Sequence, residues 1–108
     1  MNQIRPAAVA GSFYPADAGT LARDVASMLA NAQPAAGVGV VPKAIIAPHA
    51  GYVYSGPIAA RAYATLRSGR DRIRRVVLMG PTHRTPVRGL AVPAATAFAS
   101  PLGTVAID

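Results

Sequence analysis

Cysteine, glutamate and tryptophan are all missing from these 108 residues. The first absence excludes a disulfide framework, a cysteine-based zinc site and a thiol nucleophile within the chain. The second leaves carboxylate chemistry to four aspartates, Asp17, Asp24, Asp71 and Asp108. No window approaches the ~18 uninterrupted apolar residues of a membrane-spanning helix. The stretch from Met1 to Ala10 likewise lacks the continuous apolar run of a secretory leader. The expectation is a cytoplasmic protein with no membrane partner.

What is present is apolar and basic. Hydrophobic residues make up 52% of the chain and charged residues only 14%, so it reads as globular rather than disordered. Ala alone supplies 24 positions. The length allows one domain at most, or part of one. Eleven cations against four anions give a net charge of +7, and ten of the eleven are arginine. Arg67, Arg70, Arg72, Arg74 and Arg75 crowd one stretch, but it follows a helical pattern and precedes a strand-like run. Cations favour a helix C-terminus, so this reads as a solvated connection. No aromatic interleaves with these arginines and no nucleic-acid motif is present, so no specific nucleic-acid partner is expected.

Along the chain, Gly11-Ser12-Phe13-Tyr14-Pro15 is rich in turn formers. Leu21, Val25, Met28 and Leu29 then fall on one helical face, with Asp17 or Thr20 as the cap. Residues 31 to 42 carry Pro34, Gly37, Gly39 and Pro42 and read as a loop. Ala44-Ile45-Ile46-Ala47 is a continuous apolar run, expected as a strand buried on both faces of a parallel sheet and ended by Pro48. Ser55-Gly56-Pro57 resembles a helix start, with Ile58, Ala62 and Leu66 at spacing four and an end near Ser68-Gly69. Arg75-Val76-Val77-Leu78-Met79 is a second strand-like run, closed by Gly80-Pro81. Strand, helix and strand in this order form a βαβ pattern, whose crossover is right-handed. Leu90-Ala91-Val92 and Thr104-Val105-Ala106-Ile107 are further expected strands, with Pro101-Leu102-Gly103 as a turn. The last run reaches Asp108 without a turn or capping signal, which suggests a truncated sheet.

The chain has two histidines. His49 lies two residues past the first strand-like run and His83 four past the second, so both fall beyond carboxyl ends of expected strands. That edge of an open α/β sheet is where ligands bind, and one βαβ unit would bring the two rings together. Neutral imidazole suits Fe, Cu, Zn and Ni, so a two-histidine metal site is one reading. General acid or base work is a second, and hydrogen bonding within glycine-proline loops a third. As a metal site the pair is incomplete, because such centres generally take three protein ligands and no aspartate is placed to supply another.

Other motifs fail. Gly37-Val38-Gly39 lacks the third glycine of a dinucleotide fingerprint and precedes a strand-like run instead of following one. Gly80-Pro81-Thr82-His83 lacks the Gly-Lys end of a phosphate loop, so no nucleotide cofactor is expected. Neither Ser12 nor Ser55 lies in a G-x-S-x-G elbow. Glycines 51, 56 and 80 read as turn residues. Tyr52 and Tyr54 alternate beside His49, so one is expected to face a pocket and the other the core.

Four stretches taken together resemble one family. They are Ala10-Gly11-Ser12-Phe13-Tyr14-Pro15, the run from Ile46 through Pro48-His49-Ala50-Gly51-Tyr52 to Gly56, Gly80-Pro81-Thr82-His83, and Pro101-Leu102-Gly103-Thr104-Val105. In order and spacing they are similar to the N-terminal part of the Memo family, whose bacterial members are called AmmeMemoRadiSam system protein B. The Pro-His-Ala-Gly-Tyr block is the most specific element. The resemblance implies that residues 1–108 are the N-terminal part of a single α/β domain, with a mixed or parallel sheet and flanking helices. It also implies a fold similar to class III extradiol dioxygenases, which are non-heme iron enzymes.

By matching motif positions, His49 and His83 correspond to two family metal ligands, for iron or copper. The third family ligand is a cysteine in the C-terminal part, so the implied fragment is inactive alone. Many members carry a second histidine directly after the position of His83, where this chain has Arg84. The resemblance implies either a dioxygenase-like redox metalloprotein of unknown substrate or a non-catalytic peptide- or protein-binding accessory module using the same pocket. In the second case Tyr54 and Ser55 are the pocket candidates. The bacterial family name implies association with an AMMECR-type protein and a radical-SAM protein.

Overall fold

Helix α1 (Ala18–Asn31) begins where the sequence offers a side-chain acceptor to its orphan N–H groups. Asp17 is the N-cap, its carboxylate accepting from the Thr20 N–H at 2.8 Å and from the Thr20 hydroxyl at 2.9 Å. Asp17 therefore fills the expected capping role, with Thr20 as its donor. The computed structural model describes residues 3–32 and 39–108, so residues 33–38 of the expected loop lie outside the described part. Within α1 the apolar stripe turns inward at Leu21, which is buried, and at half-buried Val25, Met28 and Leu29.

That stripe packs on α2 (Tyr52–Ala64). The expected start at Ser55 is corrected: the helix begins three residues earlier, behind Gly51, and Pro57 lies inside it. Pro57 has no N–H for the Val53 carbonyl, and Val53 is solvent-exposed, so water is free to take that bond. The turn role expected of Gly56 is corrected too. Gly56 is buried in α2, and a Cβ there would stand 2.6 Å from the Met28 sulfur. Its missing side chain is what lets the two helices approach. The α-helix ends at Ala64, and a single 3₁₀ turn over Arg67–Gly69 carries the chain to the expected stop.

Among the described residues the sheet has three strands, β1 (Ile4–Arg5), β2 (Ala97–Ser100) and β3 (Gly103–Ala106), in that order. β1 pairs parallel with β2, Ile4 opposite Ala97, and β2 pairs antiparallel with β3, Phe98 opposite Val105. The Ser100 hydroxyl ties the hairpin, donating to the Gly103 carbonyl and accepting the Leu102 N–H, both at 3.1 Å. Gly103, at φ +128°, takes a backbone conformation that side chains disfavour. The architecture is thus a small α/β arrangement of two helices and a mixed sheet, with the expected strand at 104–107 realised as β3. The Arg5 guanidinium lies 5.5 Å over the Phe98 ring, bracing β1 from the side.

Three expected strands do not form ladders. Residues 44–47, 75–79 and 90–92 are not in strands, and the parallel pairing of the βαβ pattern is not made. The reason is physical: a parallel strand needs neighbours in the sheet and packed layers on both faces. Among the described residues α1 packs on α2, while residues 75–79 and 90–92 are exposed throughout. Ile46 is consequently 99% exposed. Among the described residues the buried apolar side chains are Leu21, Ala60 and Ala64, around the helix contact.

Two tests follow from this packing. A Cβ on Gly69 would meet both methyls of Val41, at 2.7 and 2.8 Å, and Val41 has no flexible end to move aside. Gly69→Ala should cost about 1–3 kcal/mol in denaturant melts. Gly56→Ala should cost less, because the Met28 thioether can swing and alanine favours a helix by about 1 kcal/mol over glycine. The Thr20 backbone N–H, then the Thr20 hydroxyl, hold the Asp17 carboxyl below its ordinary value of 3.8. A lowered folded-state value stabilises the fold above the unfolded value and is lost as pH falls through the folded one. Helicity of α1 should therefore drop in acid below about pH 4 in the parent and show no such step in Asp17→Asn, by circular dichroism.

Candidate metal half-site

The Gly11-Ser12-Phe13-Tyr14-Pro15 turn is the footing of the site. The Gly11 N–H donates to the Tyr14 carbonyl at 2.7 Å, and the Ser12 and Phe13 N–H groups both reach the Val9 carbonyl. Gly11 takes φ +85°, which glycine permits. This turn holds out the Phe13 carbonyl, which accepts the Tyr52 N–H at 2.8 Å. Tyr14 and Tyr52 add an aromatic contact, ring centroids 5.8 Å apart. The start of α2 is thereby fixed against the N-terminal turn.

His49 sits three residues before that helix start. Its loop is secured by Ser55, which is buried: the Ser55 hydroxyl donates to the Ala50 carbonyl at 2.8 Å and its N–H to the Gly51 carbonyl at 3.0 Å. The Ser55 hydroxyl is thus already committed to the backbone, while Tyr54 is 83% exposed on the outer side of α2. The expectation for the tyrosine pair is met only in part: Tyr52 faces a hollow, but Tyr54 faces solvent instead of the core. Tyr52 lines a hollow of about 520 Å³ between α1 and α2, with Phe13, Met28, Ala60 and Tyr63 as walls and His49 among its lining residues. Partial burial, with smaller contributions from Tyr14 and Tyr63, pushes the Tyr52 hydroxyl above its ordinary 10.0, so it stays a neutral donor.

The two histidines meet. His49 Nε2 and His83 Nε2 stand 3.1 Å apart, with ring planes tilted by 53°. The convergence expected from the sequence is therefore present, although the ladder expected to produce it is not. Without a metal, one ring donates and the other accepts in this contact. The spacing also suits a shared ion. Two nitrogens bound to one cation at ~2.0–2.1 Å stand about 2.9–3.4 Å apart for angles between square and tetrahedral. Both rings are exposed, and among the described residues no group of three or more histidine, cysteine or carboxylate side chains surrounds them. The pair fits two positions of a metal centre and leaves the others to be supplied.

Sequence reasoning located both rings but not their unequal support. His49 is held through Ser55 and Tyr52, whereas the Gly80 to Arg88 segment around His83 makes no backbone hydrogen bond to any described backbone group. The hollow beside His49 was also not foreseen. Its signal lay in the spacing of Tyr52, Ala59, Ala60 and Tyr63, which puts small and aromatic residues on one face of α2.

A family profile described as "Memo-like protein" matches residues 5–108. Among individual relatives, the protein memo-1 homolog of Caenorhabditis elegans is 36% identical over 99% of this chain and 29% of its own length. A MEMO1 family protein of Aquifex aeolicus is 37% identical over 98% of this chain and 37% of its own. A MEMO1 family protein of Methanothermobacter thermautotrophicus is 41% identical over 97% of this chain and 39% of its own. The chain thus spans less than two-fifths of the length of these relatives, while nearly all of it is matched. With the four motif stretches falling inside the matched region, the chain belongs to the Memo family.

Proposed function

We propose that this chain carries half of a redox-metal site, with His49 and His83 as two ligands for iron or copper in a dioxygenase-like protein of unknown substrate. The observation that carries the reading is the 3.1 Å approach of the two Nε2 atoms. The donor set also suits it, since imidazole is a ligand for these metals and the two Nε2 atoms are close enough for one ion to reach both. Bound there, such an ion would supply one-electron and oxygen chemistry at its remaining positions. The protein's own part is to hold the rings. Ser55 fixes the His49 loop from behind, in the way that outer groups orient ligands at metal centres. The hollow lined by Phe13, Met28 and Tyr63 offers an apolar wall on the His49 side. Family membership brings with it the proposed cytoplasmic association with an AMMECR-type and a radical-SAM protein.

Two imidazoles alone bind a redox metal weakly and in loose geometry. Calorimetric titration of the 108-residue chain with Cu(II), and anaerobically with Fe(II), should give micromolar or weaker binding at one site. His49→Ala and His83→Ala should each abolish it; unchanged binding in either variant removes the residue from the site, and nanomolar affinity in the parent contradicts a half-site. Ser55→Ala leaves the Ala50 carbonyl without its buried partner, at a cost of about 1 kcal/mol in stability. It should also weaken metal binding severalfold with helicity kept, which a purely structural serine would not do.

A further inference from the structure

Charge is distributed one-sidedly around the histidine pair. Arg84 follows His83 directly, its Cα about 3.8 Å from the His83 Cα across a trans peptide. It is exposed, and among the described residues its guanidinium takes part in no ion pair or ring contact. Residues 72–107 contain no carboxylate, and the Asp108 side chain that follows them is already paired with Arg75 at 3.0 Å. The hollow between α1 and α2 is the opposite case. None of its lining residues is lysine, arginine, aspartate or glutamate. The Ser55 hydroxyl is committed to the Ala50 carbonyl, and the Tyr52 phenol stays neutral. His49 belongs to both regions, because it lines the hollow while its Nε2 meets His83.

Hollow, His49, His83 and Arg84 thus form a continuous series, apolar at one end and cationic at the other. At about 520 Å³ the hollow falls within the ~300–1,000 Å³ typical of small-molecule sites. It has room for a ring or a short alkyl chain and offers no partner to a charge. The guanidinium presents a planar fork of donors that matches the two oxygens of a carboxylate. One fixed cation balances one carboxylate, whereas a phosphate dianion keeps an uncompensated charge. A cationic ligand is repelled at that end, and a neutral one leaves the fork to water.

We propose that the hollow, the histidine pair and Arg84 form one binding site for a small carboxylic acid with an apolar body, its carboxylate on Arg84 and its body in the hollow. Arg84 is then a specificity residue, which selects the charge of the ligand and its direction across the pair. The inference rests on the proposed function in taking the histidine pair as the place of reaction; binding of the acid itself needs no metal.

The test is titration of the metal-free 108-residue chain at low ionic strength, followed by amide chemical shifts. Phenylbutyrate should shift the amides of Phe13, Ala60 and Arg84 together. It should bind about tenfold more tightly than acetate, which lacks the body, or phenylbutanol, which lacks the charge. Arg84→Gln should bring the acid down to the level of the alcohol with circular dichroism unchanged, and Arg84→Lys should recover part of the loss. Arg88→Gln should change little. Indifference to Arg84→Gln overturns the proposal. So does an equal loss from Arg88→Gln, which points to a general positive field, and so does tighter binding of phenylbutyl phosphate, which points to a phosphate ligand. Ala59→Phe fills the hollow and should erase the preference for phenylbutyrate over acetate; a preference that survives overturns the part given to the hollow. Copper titration separates this site from the metal reading. Cu(II) binding that is kept while the acid ignores Arg84 removes the acid site alone, and acid binding that follows Arg84 in a chain without a Cu(II) site removes the metal alone.

Discussion

One backbone hydrogen bond, from the Tyr52 N–H to the Phe13 carbonyl, joins the two conspicuous motifs of this chain. On one side of it the Gly11 turn is closed by its own bonds; on the other, α2 starts and the His49 loop is set. The Tyr14–Tyr52 ring contact and the Ser55 hydroxyl reinforce the same junction. A net hydrogen bond is worth only about 1 kcal/mol. Its importance here is geometric: it couples the position of His49 to a turn nearly forty residues upstream. The turn motif, which reads as a generic loop in isolation, is thereby part of the scaffold of the histidine pair.

Much of this was legible in residues. The α1 stripe and its Asp17 cap follow from helical spacing and capping chemistry, and both histidines were located from their place after apolar runs. What could not be read is whether those runs would pair. A run such as Val76-Val77-Leu78-Met79 states that it suits a buried strand, but burial is a property of what lies beside it. Here nothing among the described residues does, and the run stays open. Conversely, β1 and β2 were missed because Ile4–Arg5 is too short to show alternation and Ala97-Phe98-Ala99 is weak in strand formers. The position of Pro57 inside α2 escaped because Ser55-Gly56-Pro57 imitates a helix start.

The histidine pair shares this asymmetry. His49 stands directly before bonded backbone, the Ala50 and Gly51 carbonyls accepting from Ser55, whereas among the described residues no backbone group bonds the segment around His83. Their contact is therefore a bridge between a settled region and an open one. Whatever settles the segment around His83 will also fix the separation of the two rings.

The parallel pairing of β1 with β2 has a consequence for the order of folding. The Gln3 carbonyl accepts the Thr96 N–H across almost the whole chain, whereas α1 and α2 are near neighbours in sequence and β2 and β3 are joined by a tight turn. Closing a loop of that span carries an entropic cost of about 4 kcal/mol, which a two-residue strand recovers poorly. Helix pair and hairpin should form first, and β1 last. The N-terminal strand then acts as a latch, the final piece to join on folding and the first to leave when the molecule opens.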